Sequence, residues 1–209
     1  MNAPGVFKFV IRKTYIISLK NKKMKRTSIL ALISFFILSS LNFQMNAQEK
    51  TNQQKTKENR TIDARYTGEL NQQDLINSPY TSRWFEPRFK SYHPDKTSMQ
   101  TIENNIHDYE LVMFMGAWCP DSHREVPRVF KILEDSGYDM DKLKVYTLNT
   151  RKQSADKTEQ EYGITNVPTV IFFKDGKEVN RFVERPRETI AKDFAKIVSG
   201  EDYRHFHLR

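Results

Sequence analysis

The feature that most constrains the fold is a run of five apolar residues, Leu111–Met115, followed at once by a turn and a helical pattern. An uninterrupted apolar run is typical of a strand buried on both faces of a sheet. From Asp121 the apolar residues fall on one helical face, and the helix is predicted to end near Gly137. The residues on this face are Val126, Val129, Phe130 and Leu133. A strand that leads directly into an amphipathic helix predicts an α/β architecture.

Further strand and helix patterns follow this unit towards the C-terminus. They are an alternating strand at Leu143–Leu148, a polar helix at Lys152–Tyr162, an apolar strand at Thr169–Phe173, a returning strand at Glu178–Val183 and an amphipathic helix at Arg187–Val198. The pair Asp175-Gly176 between the last two strands is typical of a hairpin turn. Two parallel strand–helix units, a hairpin and a final helix predict a mixed sheet flanked by helices over residues 111–209.

Residues 61–110 are predicted to form an N-terminal extension that is helical and rich in aromatic residues. Glu69–Ile76 has the pattern of a short helix, and Thr97–Ile106 has apolar residues at helical spacing. Between them lies an aromatic stretch interrupted by prolines, with Tyr80, Trp84, Phe85, Phe89 and Tyr92. Aromatic side chains at this density are predicted to cover an edge of the core, and ligand binding is the alternative.

Residues 1–47 have the pattern of a leader. From Met24, two basic residues precede the mostly apolar stretch Ile29–Phe43, and the small residue Ala47 allows cleavage before Gln48. This is typical of a secretory signal peptide with translation beginning at Met24. An uncleaved anchor is the alternative, although about 15 apolar residues is shorter than the roughly 20 that a spanning helix needs. The leader predicts a periplasmic or secreted protein, or, if uncleaved, a membrane-anchored one facing away from the cytoplasm.

The chain that follows the leader is electrically balanced. It starts with residues 48–60, which contain no apolar residue and are predicted to be a disordered linker. The chain has 34 Lys and Arg and 26 Asp and Glu residues, but eight of the basic ones lie in residues 1–47, where no acidic residue occurs. Residues 48–209 therefore hold 26 residues of each sign. Because a nucleic-acid-binding surface needs a surplus of cations, we expect no nucleic-acid partner.

Cys119 is the only cysteine, which excludes an intramolecular disulfide and a cysteine-rich zinc cluster. It stands between the predicted buried strand and the following helix, where backbone N–H groups and the helix dipole stabilise a thiolate. Pro120 suits the first turn of that helix, and the hydroxyl of Ser122 lies one turn along. His123, when protonated, adds positive charge that Asp121 opposes. Cys119 is therefore predicted to be a nucleophile, and a buried, unreactive cysteine is the alternative.

Four segments resemble a known family in the same order. Phe114–Ser122 contains Trp-Cys-Pro-Asp-Ser and resembles the active-site segment of thioredoxin-like proteins, whose motif is Trp-Cys-x-x-Cys. Pro127 falls where that family has a helix-kinking proline. Tyr162–Thr169 is similar to the family's cis-proline segment, and Phe172–Gly176 is similar to its hairpin. The resemblance covers about 90 residues, Leu111–Gly200, and implies a thioredoxin fold.

The resemblance also implies roles for the residues around Cys119. Trp118 would shield the site, and Ser122 would stabilise the thiolate. Pro168 would be cis and lie beside the nucleophile, while Val167 would offer backbone hydrogen bonds to an extended substrate. Val167 and Pro168 together would form the substrate-docking edge.

The sequence departs from the family pattern at three positions. Ser122 stands where the family has its second, resolving cysteine, Met113 stands where many members bury a carboxylate, and Glu184 stands near the position of a glycine. The first departure decides the mechanism. Without a resolving thiol, Cys119 can form a mixed disulfide, but an external thiol or a second cysteine of the substrate must resolve it.

These observations predict an exported thioredoxin-like protein that exchanges thiols and disulfides through a single nucleophilic cysteine. Its expected partners are protein thiols and disulfides or a low-molecular-weight thiol. The alternative is a catalytically degenerate module of the same fold that binds a protein client. No cofactor or metal ion is expected, and His205 and His207 are interpreted as a chain end. The redox interpretation requires a Cys119 sulfur that is accessible and faces Pro168.

Overall fold

The structure is a computed structural model that describes residues 62–63 and 65–207. The predicted leader (residues 1–47) and linker (residues 48–60) lie outside the described residues. Within the described part of the chain, no helix is both long enough and apolar enough to cross a membrane.

Five strands of the described part of the chain form one mixed sheet. They are β1 (Gly68–Leu70), β2 (Glu110–Met115), β3 (Leu143–Thr147), β4 (Thr169–Lys174) and β5 (Lys177–Val183). Their order across the sheet is β1-β3-β2-β4-β5, so β2 lies at the centre. The apolar run Leu111–Met115 is buried along its whole length, and the prediction of a central buried strand is confirmed.

The strand directions differ in part from the prediction. β3 is parallel to β2, with Val145 opposite Met113, but β4 is antiparallel to β2, with Val170 opposite Met113. The prediction of a second parallel unit was therefore wrong. A parallel neighbour needs a crossover of a dozen or more residues, usually a helix. The helix Pro120–Asp135 supplies it between β2 and β3, whereas β4 begins opposite Phe114, at the same end of the sheet where β3 finishes opposite Met115, so no crossover is needed.

Six helices accompany the sheet within residues 62–63 and 65–207. They are α1 (Gln72–Asn77), α2 (Ser82–Ser91), α3 (Lys96–Asn105), α4 (Pro120–Asp135), α5 (Thr158–Glu161) and α6 (Ile190–Ser199), with 3₁₀ turns at Ile106–Asp108 and Met140–Lys142. A mixed sheet flanked by helices confirms the predicted fold class. The predicted polar helix Lys152–Tyr162 was too long. Lys152 and Lys157 have left-handed backbone conformations, with φ of 59° and 60°, which interrupt a right-handed helix.

In the extension, β1 and α1 replace the single helix predicted at Glu69–Ile76. The side chain of Asn71 accepts the N–H of Asp74, and the Asp74 carboxylate accepts the N–H of Asn71. This reciprocal cap begins the helix after Asn71. Glu69 consequently lies in a strand, where it pairs with Tyr146 of β3.

The aromatic stretch of the extension is helical, because α2 runs through it. Trp84 and Phe85 are buried, and the Phe85 ring packs edge-on against Phe130 of α4 with ring centres 5.5 Å apart. The prediction that these aromatic residues cover the core is confirmed for Trp84 and Phe85.

Successive residues of β2 face two different apolar clusters. Its odd-numbered residues join the larger cluster, which includes side chains of α1, α2, α3, α4 and α6. Its even-numbered residues Val112 and Phe114 join the smaller cluster. The other buried members of the smaller cluster are Cys119, Leu148, Ile164, Val167 and Ile171. The candidate nucleophile therefore lies on the face opposite the larger cluster.

Candidate active site

Cys119 stands at the N-terminus of the longest described helix. Its backbone is extended (φ −85°, ψ 123°), Pro120 is the first residue of α4, and the Cys119 carbonyl accepts the N–H of His123 at 2.9 Å. Proline is well suited to this first position because its missing N–H is not needed there. The side chain thus leaves the chain where helix N–H groups and the helix dipole favour a negative charge.

The sulfur faces the segment that the resemblance indicated. The Cys119 thiol donates a hydrogen bond to the Val167 carbonyl, with 3.3 Å between sulfur and oxygen. The Val167–Pro168 peptide bond is cis, as the resemblance implied. The expected accessibility is not reproduced, since Cys119 is 5% exposed, Val167 is 2% exposed and Pro168 is buried. The structure therefore places the nucleophile beside the docking edge, but little of Cys119 is exposed to solvent.

Trp118 is fixed beside the sulfur by one hydrogen bond and one close approach. Its indole N–H donates to the Leu148 carbonyl at 2.9 Å. Its ring lies so close to Gly116 that a Cβ on Gly116 would be 2.7 Å from two ring atoms. The half-buried ring also packs on the smaller cluster, in which Cys119 lies. This arrangement suits the shielding role that the resemblance implies.

Ser122 makes a different contact from the one expected. Its side chain is fully buried, and its hydroxyl oxygen accepts the backbone N–H of Gly116 at 3.1 Å. Among the described residues, no hydrogen bond joins the Ser122 hydroxyl to the Cys119 sulfur. Ser122 therefore holds the turn before the nucleophile, and its stabilisation of the thiolate stays a prediction.

His123 lies against the extension. Its ring stacks on Trp84 with centres 4.3 Å apart, and its Nε2–H donates to the Ala117 carbonyl at 2.6 Å. Burial lowers the pKa of His123, and the nearby Arg88 guanidinium lowers it further, while the bond to Ala117 opposes both. The neutral imidazole is therefore favoured, which weakens the positive charge that the sequence suggested for this residue.

Asp121, the third predicted modulator, has its charge balanced by two cations. Its carboxylate pairs with Arg124 at 2.7 Å and with Arg185 at 3.6 Å. Arg124 also contacts the buried Glu125 at 2.5 Å. Because each carboxylate has a cationic partner, the repulsion of a Cys119 thiolate by Asp121 is reduced.

Met113 stands at the position where the resemblance implied a buried carboxylate, and a buried carboxylate lies instead on α6. Met113 is fully buried in the larger cluster, on the face away from Cys119. Asp193 of α6 is also buried, where it accepts hydrogen bonds from the Tyr203 hydroxyl and the Arg187 N–H. Burial raises the pKa of Asp193, and these donors oppose the rise. Asp193 thus anchors the C-terminal segment.

Sequence reasoning missed a polar cluster beside the docking edge. The Glu184 carboxylate accepts hydrogen bonds from the Asn166 amide at 3.0 Å and from His207 Nε2 at 2.6 Å. The Glu184 backbone N–H donates to the Pro168 carbonyl at 2.7 Å. No local pattern signals this cluster, because Asn166 and His207 are 41 residues apart.

The described residues offer no group of three His, Cys, Asp or Glu side chains that could hold a metal ion. His205 and His207 have ring centres 6.4 Å apart, and His207 is engaged with Glu184. The reactive and polar groups of the site are its sulfur, its backbone donors and its neighbouring carbonyl groups.

Comparison with known proteins places this geometry in context. A family model for thioredoxin matches residues 93–196. The chloroplast thioredoxin M4 of Arabidopsis thaliana is 34% identical over 89 residues, which are 42% of this chain and 44% of that protein. A thioredoxin of Synechocystis is 34% identical over 107 residues, or 49% of this chain and 95% of that protein. The solved thioredoxin of Fasciola hepatica is 20% identical, with a TM-score of 0.33 over 49% of this chain and 89% of that one.

The matches differ in how much of each relative they cover. The chain spans about half the length of the chloroplast relatives, namely 44% of the Arabidopsis protein and 49% of the M-type thioredoxin of Pisum sativum. The Synechocystis thioredoxin is matched over almost its entire length. At 34% identity, this match shows that the chain belongs to the thioredoxin family.

Proposed function

We propose that the protein exchanges thiols and disulfides through Cys119 and forms mixed disulfides that an external thiol resolves. The observation that carries the proposal is the contact of the only cysteine, at the N-terminus of α4, with the carbonyl that precedes the cis Pro168. Helix N-termini favour the thiolate, which is the nucleophile in disulfide exchange. The family membership agrees with redox chemistry of this kind.

The exchange consists of two balanced steps. The Cys119 thiolate attacks one sulfur of a substrate disulfide, a new sulfur–sulfur bond forms, and the substrate's other sulfur leaves as a thiolate. An external thiol then loses its proton and attacks the substrate sulfur of the mixed disulfide. A disulfide forms between the substrate and the external thiol, and Cys119 leaves as a thiolate. The number of disulfide bonds and the number of thiols are the same before and after the two steps, so no cofactor is consumed.

Ionisation of Cys119 changes what the docking edge offers. In the thiol form, the S–H occupies the Val167 carbonyl. A thiolate or a disulfide sulfur has no proton to donate, so the carbonyl is then available to a backbone N–H of an extended substrate. Loss of the thiol proton therefore prepares the sulfur for attack and, at the same time, frees the Val167 carbonyl to bind the substrate.

The proposal is tested by turnover with and without a small external thiol. With a disulfide substrate that has no further cysteine, and without a small thiol, wild type is expected to form one mixed disulfide per chain and stop. With the small thiol present, exchange continues, and Cys119→Ala shows neither reaction beyond the uncatalysed rate. Continuous turnover without the external thiol would contradict the proposed mechanism.

The second candidate function is a module that binds a protein client without exchange chemistry. The 5% exposure of Cys119 and the buried Ser122 at the position of a resolving cysteine favour it. In this case Cys119→Ser leaves client affinity unchanged, and a tenfold loss of affinity would contradict it.

We further propose that the protein is exported. The support is the pattern of residues 24–47, a basic start, an apolar stretch and a small residue before Gln48. N-terminal sequencing of the protein recovered from cell fractions tests this. A mature chain that begins at Gln48 outside the cytoplasm is expected, and an uncleaved cytoplasmic chain would contradict it.

A further inference from the structure

The turn after β5, formed by Glu184 and Arg185, contacts both walls of the proposed site. The Glu184 N–H and carboxylate hold the docking segment, defined here as Asn166–Pro168, through Pro168 and Asn166. Arg185 Nε lies 3.6 Å from the carboxylate of Asp121, in the first turn of α4. The turn therefore connects the docking segment with the helix that presents the nucleophile.

Glu184 occupies a backbone conformation that glycine favours. Its φ is 62°, in the left-handed region where side chains other than glycine are uncommon. This conformation accompanies the hydrogen bond from the Glu184 N–H to the Pro168 carbonyl. A non-glycine residue in this region is retained when surrounding contacts hold it there. The carboxylate supplies such contacts through Asn166 and His207.

His207 reaches Glu184 from an anchored C-terminal segment. The Tyr203 hydroxyl donates to the buried Asp193 at 3.0 Å, and the Tyr203 carbonyl accepts the Asn180 amide at 3.0 Å. These contacts fix the chain four residues before His207. The Glu184 carboxylate is thus shared between the docking segment and the anchored segment, and both partners donate to the same oxygen atom.

We propose that Glu184 is a positioning residue that holds the docking segment at the correct distance from Cys119 for an extended substrate. Glu184 acts through Asn166 and Pro168 and does not contact the sulfur. The inference rests on the proposed exchange function and adds that docking of the substrate's peptide backbone depends on Glu184. Small disulfides, which have no peptide to dock, are not expected to depend on Glu184.

The test compares two disulfides in Glu184→Ala and Glu184→Gln. For a peptide joined to a small thiol through its cysteine, Glu184→Ala is expected to raise KM about three- to tenfold with little change in kcat. Glu184→Gln is expected to fall between wild type and Glu184→Ala, because its amide oxygen still accepts the Asn166 amide. For hydroxyethyl disulfide, both variants should match wild type. Glu188→Gln is the control, because Glu188 pairs with Lys192 and Lys196 of α6.

Amide hydrogen exchange over residues 163–170 separates this inference from the exchange function, because it needs no turnover. We expect exchange at least about threefold faster in Glu184→Ala than in wild type, with Glu188→Gln unchanged. A peptide KM that is unchanged or lowered in Glu184→Ala overturns the inference. If wild type reacts with neither disulfide, the proposed function fails, and unaltered amide exchange in Glu184→Ala then overturns the positioning role as well.

Discussion

The two faces of β2 differ in what packs against them. Leu111, Met113 and Met115 face the larger cluster, which includes side chains of five of the described helices. Val112 and Phe114 face the smaller cluster, whose described members are strand and loop residues around the nucleophile. Since hydrophobic stabilisation grows with the apolar area removed from water, the larger cluster supplies most of it. The proposed chemistry lies on the other face.

Because the two clusters lie on opposite faces of β2, we expect stability and chemistry to respond to different substitutions. A substitution in the larger cluster should lower the free energy of unfolding without altering the reaction of molecules that remain folded. A substitution beside Cys119 should alter the reaction at a smaller cost in stability. Four predictions, in decreasing order of effect on stability, test whether the faces are independent.

Phe194→Ala should give the largest effect. The Phe194 ring packs against Phe172 at 4.9 Å and Phe182 at 6.0 Å between ring centres. Removing a buried phenylalanine ring costs about 3–5 kcal/mol, which urea unfolding measures. Val179→Ala is the control, because Val179 is 47% exposed. Exchange per folded molecule should match wild type, and a large change in that rate would show that the faces are coupled.

Gly116→Ala should cost about 1–3 kcal/mol, because the added Cβ overlaps the Trp118 ring. The ring must move, so tryptophan fluorescence should change and Cys119 should react faster with iodoacetamide. In a Trp118→Ala background the overlap is absent, and Gly116→Ala should then cost much less. Equal costs in the two backgrounds would contradict this explanation.

Ser122→Cys should cost about 1 kcal/mol through loss of the hydrogen bond from Gly116. It also places a second thiol one helical turn from Cys119, where it can resolve the mixed disulfide. Release of the substrate should then no longer need an external thiol, and one substrate disulfide should be reduced per chain as Cys119 forms an intramolecular disulfide. Ser136→Cys, at the opposite end of α4, is the matched control and should keep the wild-type requirement. Identical thiol dependence in both variants would refute the proposed role of the missing cysteine.

His123→Phe should give the smallest effect, a change in pH dependence. Burial lowers the pKa of His123 below 6.5, so the unfolded chain binds the proton more readily as the pH falls. The resulting stabilisation is complete above the unfolded pKa and is lost as the pH falls through the folded pKa. Phenylalanine keeps the stacking on Trp84 without titrating, so this loss should disappear from urea midpoints between pH 7.5 and 5. His93→Phe, at an exposed histidine, should keep the wild-type trend.

Much of the fold could be predicted because its signals are local. The apolar run of β2, the amphipathic face of α4 and the hairpin between β4 and β5 each lie within one short segment. The antiparallel direction of β4 could not be predicted, since it depends on which strand it pairs with. β1 was missed for the same reason, because three residues acquire strand character only by pairing with β3.

The features of the site can also be divided into those that a local sequence pattern predicts and those that depend on distant residues. Cys119 at a strand–helix junction follows from local pattern, and its position beside Pro168 was implied by the resemblance to a family, whereas its hydrogen bond to the Val167 carbonyl was not. The cluster of Glu184, Asn166 and His207 could not be predicted, because it joins three distant parts of the chain. Exposure was also misjudged, since burial of a sulfur depends on everything that packs around it.

The most direct test of the central claim compares the reaction of Cys119 with a small disulfide in native buffer and in urea. Intact mass spectrometry counts the mixed disulfide over time, and Cys119→Ala provides the blank. Reaction in native buffer at least as fast as in urea is expected, because the folded chain holds the sulfur at the N-terminus of α4 beside the docking segment. Reaction only after unfolding would show a sulfur sealed in the smaller cluster and would contradict the account.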